Sequence, residues 1–421
     1  MHNSTNALVP NPSAPIARVY MPRPSRHPNI FKKRIDRTEG NPQPGDWVAV
    51  YATDVDPTPA NPDNQPQLFA YGIYNPRSEV AVRLYFWQSR LPSSEDWDGL
   101  LQNAVELRHQ ILQIPKSTNA YRLIHGESDG FPGLVVDRYG DCLSAEAFSL
   151  GMAQRAPEIL DRMHRFLGTK HSLISASPQF SSQEGAIWQD SKSEDFPPYA
   201  TIQENQVKYR IHFGTGHKTG FFCDQRENRA ILAHHAAGKS VLDVCCYSGG
   251  FSVAAAKSGG AAEVVGVDLD EEALVMAKKN ADINDVRVRY IHADAFAYMR
   301  DMARNNKQFD IVVLDPPKLI RSRTELEEGT RKHIDLNRLA IQLVKPGGIL
   351  LTCCCAGLLD GPAFMQVVQT AARATGNHPD GTRSRGRVVQ IFETRSAAMD
   401  HPVATHCPET GYLKAYWCRI L

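Results

Sequence analysis

Ser240-Val241-Leu242-Asp243-Val244 runs directly into Cys245-Cys246-Tyr247-Ser248-Gly249-Gly250-Phe251, and this stretch decides the fold. A β-branched apolar run reads as a buried strand, and the apolar segment 251–258 beyond the glycines reads as a helix. Glycines at such a strand-to-helix turn let a ligand approach the backbone closely. Outward from there the alternation continues. Strands are expected at residues 264–268, 287–291, 309–314 and 348–352, and helices at 271–280 and 334–343. Strand alternating with helix argues an α/β fold with a doubly wound parallel sheet, beginning near residue 201.

Carboxylates stand at successive strand ends of this pattern. Asp243 closes the first strand, Asp268 the second and Asp294 the third. At the carboxyl edge of an open parallel sheet these positions face a ligand crevice. A carboxylate after the second strand can take both hydroxyls of a ribose, and one after the third can accept from an adenine amino group. Three acids in this order form the pattern expected for S-adenosylmethionine, whereas a dinucleotide fold would prefer G-x-G-x-x-G in the first turn. The competing reading makes these acids helix caps.

Asp315-Pro316-Pro317-Lys318 follows the fourth strand. Proline fixes its own φ and constrains the residue before it, so the Asp315 carboxylate is aimed rather than mobile. After the fifth strand come Cys353-Cys354-Cys355-Ala356-Gly357. Carbon 5 of cytosine is a poor nucleophile until a thiolate adds to carbon 6, and a free thiol is only a few per cent ionised at neutral pH without a cationic or dipolar neighbour. Consecutive residues point alternately across a strand, so the three cysteines cannot build one zinc site. Cys353 and Cys354 read best as small hydrophobes. Upstream, Gly216-His217-Lys218-Thr219-Gly220-Phe221-Phe222-Cys223-Asp224-Gln225-Arg226 sets dense polar groups beside two aromatics, as in a loop covering a cofactor.

The rest of the chain is plainer. At 421 residues the length suggests two to three domains. Residues 1–15, polar and proline-bearing, read as a disordered leader. Residues 16–90 read as a compact β-rich barrel, with residues 54–67 inserted, and residues 91–200 as a central α+β domain. The net charge is +1, so nucleic-acid affinity requires a local patch. Arg18, Arg23, Arg26, Lys32, Lys33, Arg34 and Arg37 supply one, opposed within that span only by Asp36. Its plain alternative is a solvated basic arm. No stretch reaches the ~18 apolar residues of a membrane span. Nine cysteines, several adjacent, suit a reducing cytoplasm better than a disulfide framework.

Taken together, Gly216 to Phe222 with Asp224-Gln225-Arg226, Tyr247-Ser248-Gly249-Gly250, Asp315-Pro316-Pro317-Lys318, Cys355-Ala356-Gly357, Asp400-His401-Pro402-Val403 and Tyr412-Leu413-Lys414 resemble the PUA-domain 23S ribosomal RNA cytosine-5 methyltransferases. Tyr121-Arg122-Leu123-Ile124 through Gly126-Glu127-Ser128-Asp129-Gly130 resembles their middle domain. The resemblance implies a PUA RNA-binding barrel at 16–90, a central α+β domain and a class I methyltransferase domain at 201–421. It implies Cys355 as nucleophile and Asp315 as the group holding an unpaired or flipped cytosine. By the same likeness and the strand-end pattern, Phe222, Asp224, Arg226, Asp243, Tyr247, Ser248, Gly249, Asp268, Asp294 and Asp315 would bind S-adenosylmethionine. Lys318, Arg26, Lys32 and Lys33 would face ribosomal RNA. No metal is expected, and a homodimer is allowed for. The family's serines beside the cysteine are here Cys354 and Ala356. Two other functions stay open at this stage: a nitrogen or guanine RNA methyltransferase using Asp315 without a covalent step, and an RNA-binding assembly factor with a vestigial catalytic domain.

Overall fold

The computed structural model describes residues 8–54, 64–213, 220–376, 382 and 385–421. Residues 1–7 of the leader, most of the 54–67 loop and Gly216 to Thr219 lie outside them. The chain divides into two compact units. The first comprises residues 1–200, 212–221 and 400–410, and the second residues 201–211, 222–399 and 411–421.

The first unit opens with strands β1 (Ala17–Met21), β2 (Asn29–Phe31), β3 (Arg37–Glu39), β4 (Trp47–Ala52), β5 (Gln67–Tyr74) and β6 (Val80–Phe86). They form one sheet in the order β2-β6-β5-β4-β1-β3. Helix α1 (Ser94–Glu106) leads to a second sheet built from β7 (Ala120–His125), β8 (Leu134–Tyr139), β9 (Cys142–Ala147), β10 (His171–Ala176) and β11 (Ser191–Lys192). Helices α2 (Leu150–Leu167) and α3 (Phe180–Glu184) flank its later strands.

The boundary expected near residue 90 is not a boundary between cores. Side chains alternate across a strand. In β4, Val48 and Val50 enter a small core with Val19, Ile30 and Val82. Trp47 and Ala49, on the other face, join Trp97, Leu134 and Met152 in a core shared with residues 91–200. Leu8, expected in the leader, is buried in that same core.

The second unit begins with a ribbon, β12 (Tyr199–Glu204) and β13 (Val207–His212), and then α4 (Arg226–His235). Next come β14 (Ser240–Val244), α5 (Gly250–Lys257), β15 (Glu263–Asp268), α6 (Glu271–Asp282), β16 (Arg289–His292), α7 (Ala295–Arg304), β17 (Phe309–Leu314), α8 (Leu326–Leu343), β18 (Val344–Cys354), α9 (Gly361–Ala374), β19 (Val389–Arg395) and β20 (Lys414–Ile420). The seven-stranded sheet has the order β16-β15-β14-β17-β18-β20-β19. All pairs from β16 to β18 are parallel, while β20 runs antiparallel to both of its neighbours. The order turns at β14, and the crevice of an open α/β sheet lies beside that switch, outside the carboxyl ends of the strands. This is the doubly wound α/β sheet the sequence led us to expect. Alternation again makes two cores. Leu242, Val244, Val312, Leu314, Leu350 and Cys354 face one layer of helices, and Val241, Ile311, Val313, Leu351 and Cys353 face the other.

Candidate active site at the carboxyl edge of the second sheet

The turn after β14 is strongly bent. Cys245, Tyr247 and Gly249 all adopt positive φ, at 63°, 48° and 79°. A Cβ on Gly249 would lie 2.4 Å from the Tyr290 hydroxyl, so both conformation and space require glycine. Ser248 is buried, and its carbonyl accepts from the Asn280 amide at 2.9 Å.

Asp243 is fully buried inside β14. Its Oδ2 accepts from the Ser252 amide at 2.9 Å and the Ser252 hydroxyl at 2.6 Å. Its Oδ1 has no partner among the described residues. Burial pushes this carboxyl up to about 7, against the lowering effect of both Ser252 bonds. Asp268, the last residue of β15, accepts from the Tyr247 amide at 2.7 Å and the Asp270 amide at 2.9 Å.

Asp294 departs from expectation. β16 ends at His292, and Asp294 stands exposed as the cap of α7, accepting from the Ala297 amide at 2.9 Å. The reading of the acids as caps therefore describes Asp294 locally. A free α7 N-terminus offers unpaired amides, and aspartate is among the side chains that best satisfy them.

The segment after Phe222 frames the other side of this edge. Phe222 sets its ring edge-on to Tyr247, with centroids 5.2 Å apart. Asp224 is buried and accepts from the Tyr412 hydroxyl at 2.6 Å. Arg226 is buried, with Glu227 at 3.4 Å. Arg229 holds the turn from beneath. It pairs with buried Glu204 through two bonds of 2.7 and 2.6 Å and donates to the Phe222 carbonyl at 3.0 Å. Asp315, one residue past β17, is partly exposed, and its Oδ2 accepts from the Gln225 amide at 3.0 Å. Lys318 is exposed beyond the prolines.

The three cysteines separate as alternation requires. Cys353 and Cys354 are buried in opposite cores, and burial pushes both thiols up, away from ionisation. Cys354 Sγ lies 3.7 Å from Nε2 of buried His333. Cys355 is the partly exposed member, just beyond the end of β18. Across the pair of strands, Lys414 faces Cys354 and donates to the carbonyls of Ala356 at 2.6 Å and Tyr412 at 2.8 Å. Burial lowers this ammonium, while the neighbouring Cys354 and Cys355 thiols pull it back up.

In the first unit, Arg26, Lys32 and Lys33 are all exposed. The basic run there is opposed by more than Asp36, because folding imports acids from elsewhere. Arg23 meets Asp54 at 3.0 Å, Lys32 meets Glu79 at 3.6 Å and Arg37 meets Glu39 at 3.4 Å. Arg37 also lies over the Tyr20 ring, 3.8 Å from its centroid. His27, Cys407 and Glu409 bring three metal-capable side chains together there. Their hydrogen bonds argue for a polar knot instead. The Asn29 amide donates to His27 Nδ1, which leaves the ring proton on Nε2, and Nε2 then donates to Glu409 at 2.6 Å. Asn228, Ser252 and Trp417 were not singled out from sequence, while Gln225 and Lys414 stood inside quoted motifs without a role of their own. Gln225 and Asn228 sit three residues apart beside Asp224 and Arg226, the one local signal that could have found them.

Residues 183–380 match the family model of S-adenosylmethionine-dependent methyltransferases. The ribosomal RNA large subunit methyltransferase I of Photobacterium profundum is 33% identical over 401 residues, covering 94% of this chain and 96% of that protein. Its counterpart in Aeromonas salmonicida is 36% identical over 402 residues, covering 92% and 94%. Among solved structures, one described as an S-adenosylmethionine-dependent methyltransferase from Streptococcus mutans shares the fold at TM-score 0.75 and 19% identity, over 96% of this chain and 99% of that one. A methyltransferase solved with S-adenosylhomocysteine aligns at TM-score 0.76 with the same identity and coverage. The residues present fit such a cofactor. Asp243 keeps a buried oxygen without a partner, and Gly249 opens the turn beside it.

Proposed function

Since the chain belongs to the S-adenosylmethionine-dependent ribosomal RNA methyltransferases of the large subunit methyltransferase I family, we propose that it methylates carbon 5 of a cytosine in 23S ribosomal RNA, with Cys355 as the nucleophile. The observation that carries this reading is the sorting of the three thiols. Cys353 and Cys354 are locked in cores, whereas Cys355 is partly exposed one strand from Asp315, beside the Lys414 ammonium.

In this reading the Cys355 thiolate forms a bond from sulfur to carbon 6 of the base, which makes carbon 5 enamine-like. S-adenosylmethionine supplies an electrophilic methyl group. Once carbon 5 carries that methyl, loss of its proton restores the double bond and expels sulfur, regenerating Cys355. Asp315 holds the base by its ring nitrogen or amino group. Asp268 takes the ribose hydroxyls and Asp294 the adenine amino group. Asp243, Tyr247, Ser248 and Gly249 line the cofactor turn, and Phe222, Asp224 and Arg226 cover it. The first sheet, residues 16–90, acts as a PUA-like RNA-binding module through Arg26, Lys32 and Lys33, with Lys318 meeting RNA at the catalytic edge. The target is unpaired or flipped, since a stacked base is out of reach. We place the protein in the cytoplasm. Its nine cysteines form no disulfide, and no described helix is long and apolar enough to cross a membrane.

The test is Cys355→Ala with large-subunit RNA and labelled S-adenosylmethionine. Methyl transfer should vanish while calorimetric cofactor binding stays within about twofold. RNA carrying 5-fluorocytosine should trap wild-type protein in a stable adduct. Full activity of Cys355→Ala, or no adduct, would sink the thiol route and favour nitrogen methylation at Asp315.

A further inference from the structure

We propose that Gln225 is a positioning residue for Asp315, set in a fixed orientation by a buried relay that runs from Trp417 through Asn228. This deepens the reading of Asp315 as the group that holds the base, and it rests on that reading. The relay is a line of three hydrogen bonds. Trp417 Nε1 donates to Asn228 Oδ1 at 3.1 Å, Asn228 Nδ2 donates to Gln225 Oε1 at 2.7 Å, and Gln225 Nε2 donates to Asp315 Oδ2 at 3.0 Å. Trp417, Asn228 and Gln225 are all buried.

The direction of the relay follows from its first member. An amide side chain can usually be turned end for end, because its oxygen and nitrogen have nearly the same shape. An indole N–H can only donate. It therefore demands the oxygen of Asn228, which turns the Asn228 nitrogen toward Gln225. That nitrogen demands the Gln225 oxygen, and the Gln225 nitrogen is left facing Asp315. Two amides that could each point either way are locked into one arrangement by a tryptophan on β20.

The consequence lies at Asp315. Its Oδ2 meets a donor that cannot become an acceptor, so this oxygen is held as an acceptor and the plane of the carboxyl is fixed. The prolines aim the backbone and Gln225 aims the side chain. Holding Oδ2 in this way limits the orientations open to the carboxyl as a whole, and with it the way Asp315 can meet a base.

Other ionisable groups share this neighbourhood. Cys245 lies on the β14 turn, Cys353 and Cys354 on β18, and each interacts electrostatically with Asp315. Asp224 adjoins Gln225 in the chain, Lys414 lies across from Cys354, and Lys318 follows the prolines. None of these can substitute for a fixed neutral donor.

The test uses the full-length protein, large-subunit RNA and labelled S-adenosylmethionine. Gln225→Glu keeps the shape and the acceptor for Asn228 but sets a carboxylate against Asp315. Gln225→Met keeps the bulk and removes the donor. Both should lower kcat on the order of 10- to 100-fold, the range seen when an orienting partner is lost. Cofactor affinity should stay within about twofold. Two carboxylates about 3 Å apart share one proton, so Gln225→Glu should regain activity relative to wild type as pH falls from 8 to 6, and Gln225→Met should not. In an Asp315→Asn background, Gln225→Glu should have little further effect.

Wild-type kcat in both variants overturns the proposal. So does a parallel loss of kcat, cofactor binding and thermal midpoint, since that pattern marks a merely structural side chain. Failure of the cytosine-5 reading is separate and shows in the Cys355→Ala and adduct experiments. The dependence of Gln225 on Asp315 can be read with any methyl acceptor.

Discussion

Asp243→Asn tests whether burial governs the charge of the carboxyl buried in β14, next to the turn proposed to hold the cofactor. In the unfolded chain an aspartate ionises near 3.9. In the folded protein burial pushes Asp243 up to about 7, even with two bonds from Ser252. Well below pH 4 the carboxyl is neutral in both states and no penalty arises. As pH rises, the unfolded chain ionises first, so stability falls progressively until the folded group also ionises near 7, and then levels off. About three pH units at 1.36 kcal/mol each give a penalty of ~4 kcal/mol above pH 7, of which ~1.5 kcal/mol is already present at pH 5. Asparagine carries no charge at either pH. The stability of Asp243→Asn relative to wild type should therefore rise by ~2.5 kcal/mol between pH 5 and pH 8, whatever fixed offset its amide introduces. Urea unfolding of both proteins at the two pH values measures this directly, provided their m-values agree. A difference that stays constant within about 0.5 kcal/mol would refute the argument, because it would mean that Asp243 ionises alike in both states.

Glu204→Ala leaves Arg229 buried without its carboxylate and should destabilise the second unit by ~3–5 kcal/mol in urea unfolding, while loosening the Phe222 turn that Arg229 holds. Gly249→Ala imposes a side chain at φ 79° and drives it into Tyr290, so calorimetry should show cofactor affinity falling at least tenfold, and unchanged affinity would contradict the assigned turn. Lys414→Met removes the ammonium beside Cys355, and alkylation of Cys355 at pH 7.5, followed peptide by peptide in the mass spectrometer, should slow several-fold. Replacing Arg26, Lys32 and Lys33 with alanine should flatten the salt dependence of RNA binding by ~0.7 in log–log slope per lost phosphate contact, as filter binding across 50–300 mM salt would measure.

Sequence legibility follows how local each signal is. β14 and β17 were readable to the residue because each is a short, mostly apolar and β-branched segment buried on both faces, interrupted only by Ser240 and Asp243 in β14 and by Asp310 in β17. β19 and β20 were not read. β19 is half-exposed at an edge, and the place of β20 between β18 and β19 depends on pairing with residues some seventy positions earlier in sequence, around Ile349 to Cys354. α8 was expected from residue 334 but starts at Leu326, since its first two turns are charged and exposed. Pairs one helical turn apart, Glu327 with Arg331 and Glu328 with Lys332, support them without an apolar stripe. At the site, Asp268 closes β15 and Asp315 follows β17, Asp243 stands one residue inside the end of β14, and Cys355 separates from its neighbours by simple alternation. The Gln225 relay was illegible for the opposite reason. Asp315 and Trp417 lie 90 and 192 positions further along the chain than Gln225, and nothing in the sequence joins them.

The segment from Asp400 to Thr410 has a consequence for the order in which the protein can be made. It belongs to the first unit, although the chain reaches it only after residues 222–399 of the second unit. There the Asp400 carbonyl accepts from buried Arg108 at 2.8 Å, its carboxylate accepts from the Arg122 amide at 2.7 Å, and the Thr410 carbonyl lies 3.2 Å from His125. Until these residues clear the exit tunnel, Arg108 and His125 lack partners that the finished core supplies. The first unit therefore stays incompletely satisfied until residues 222–399 have been made, and its final consolidation is coupled to the synthesis of the second unit.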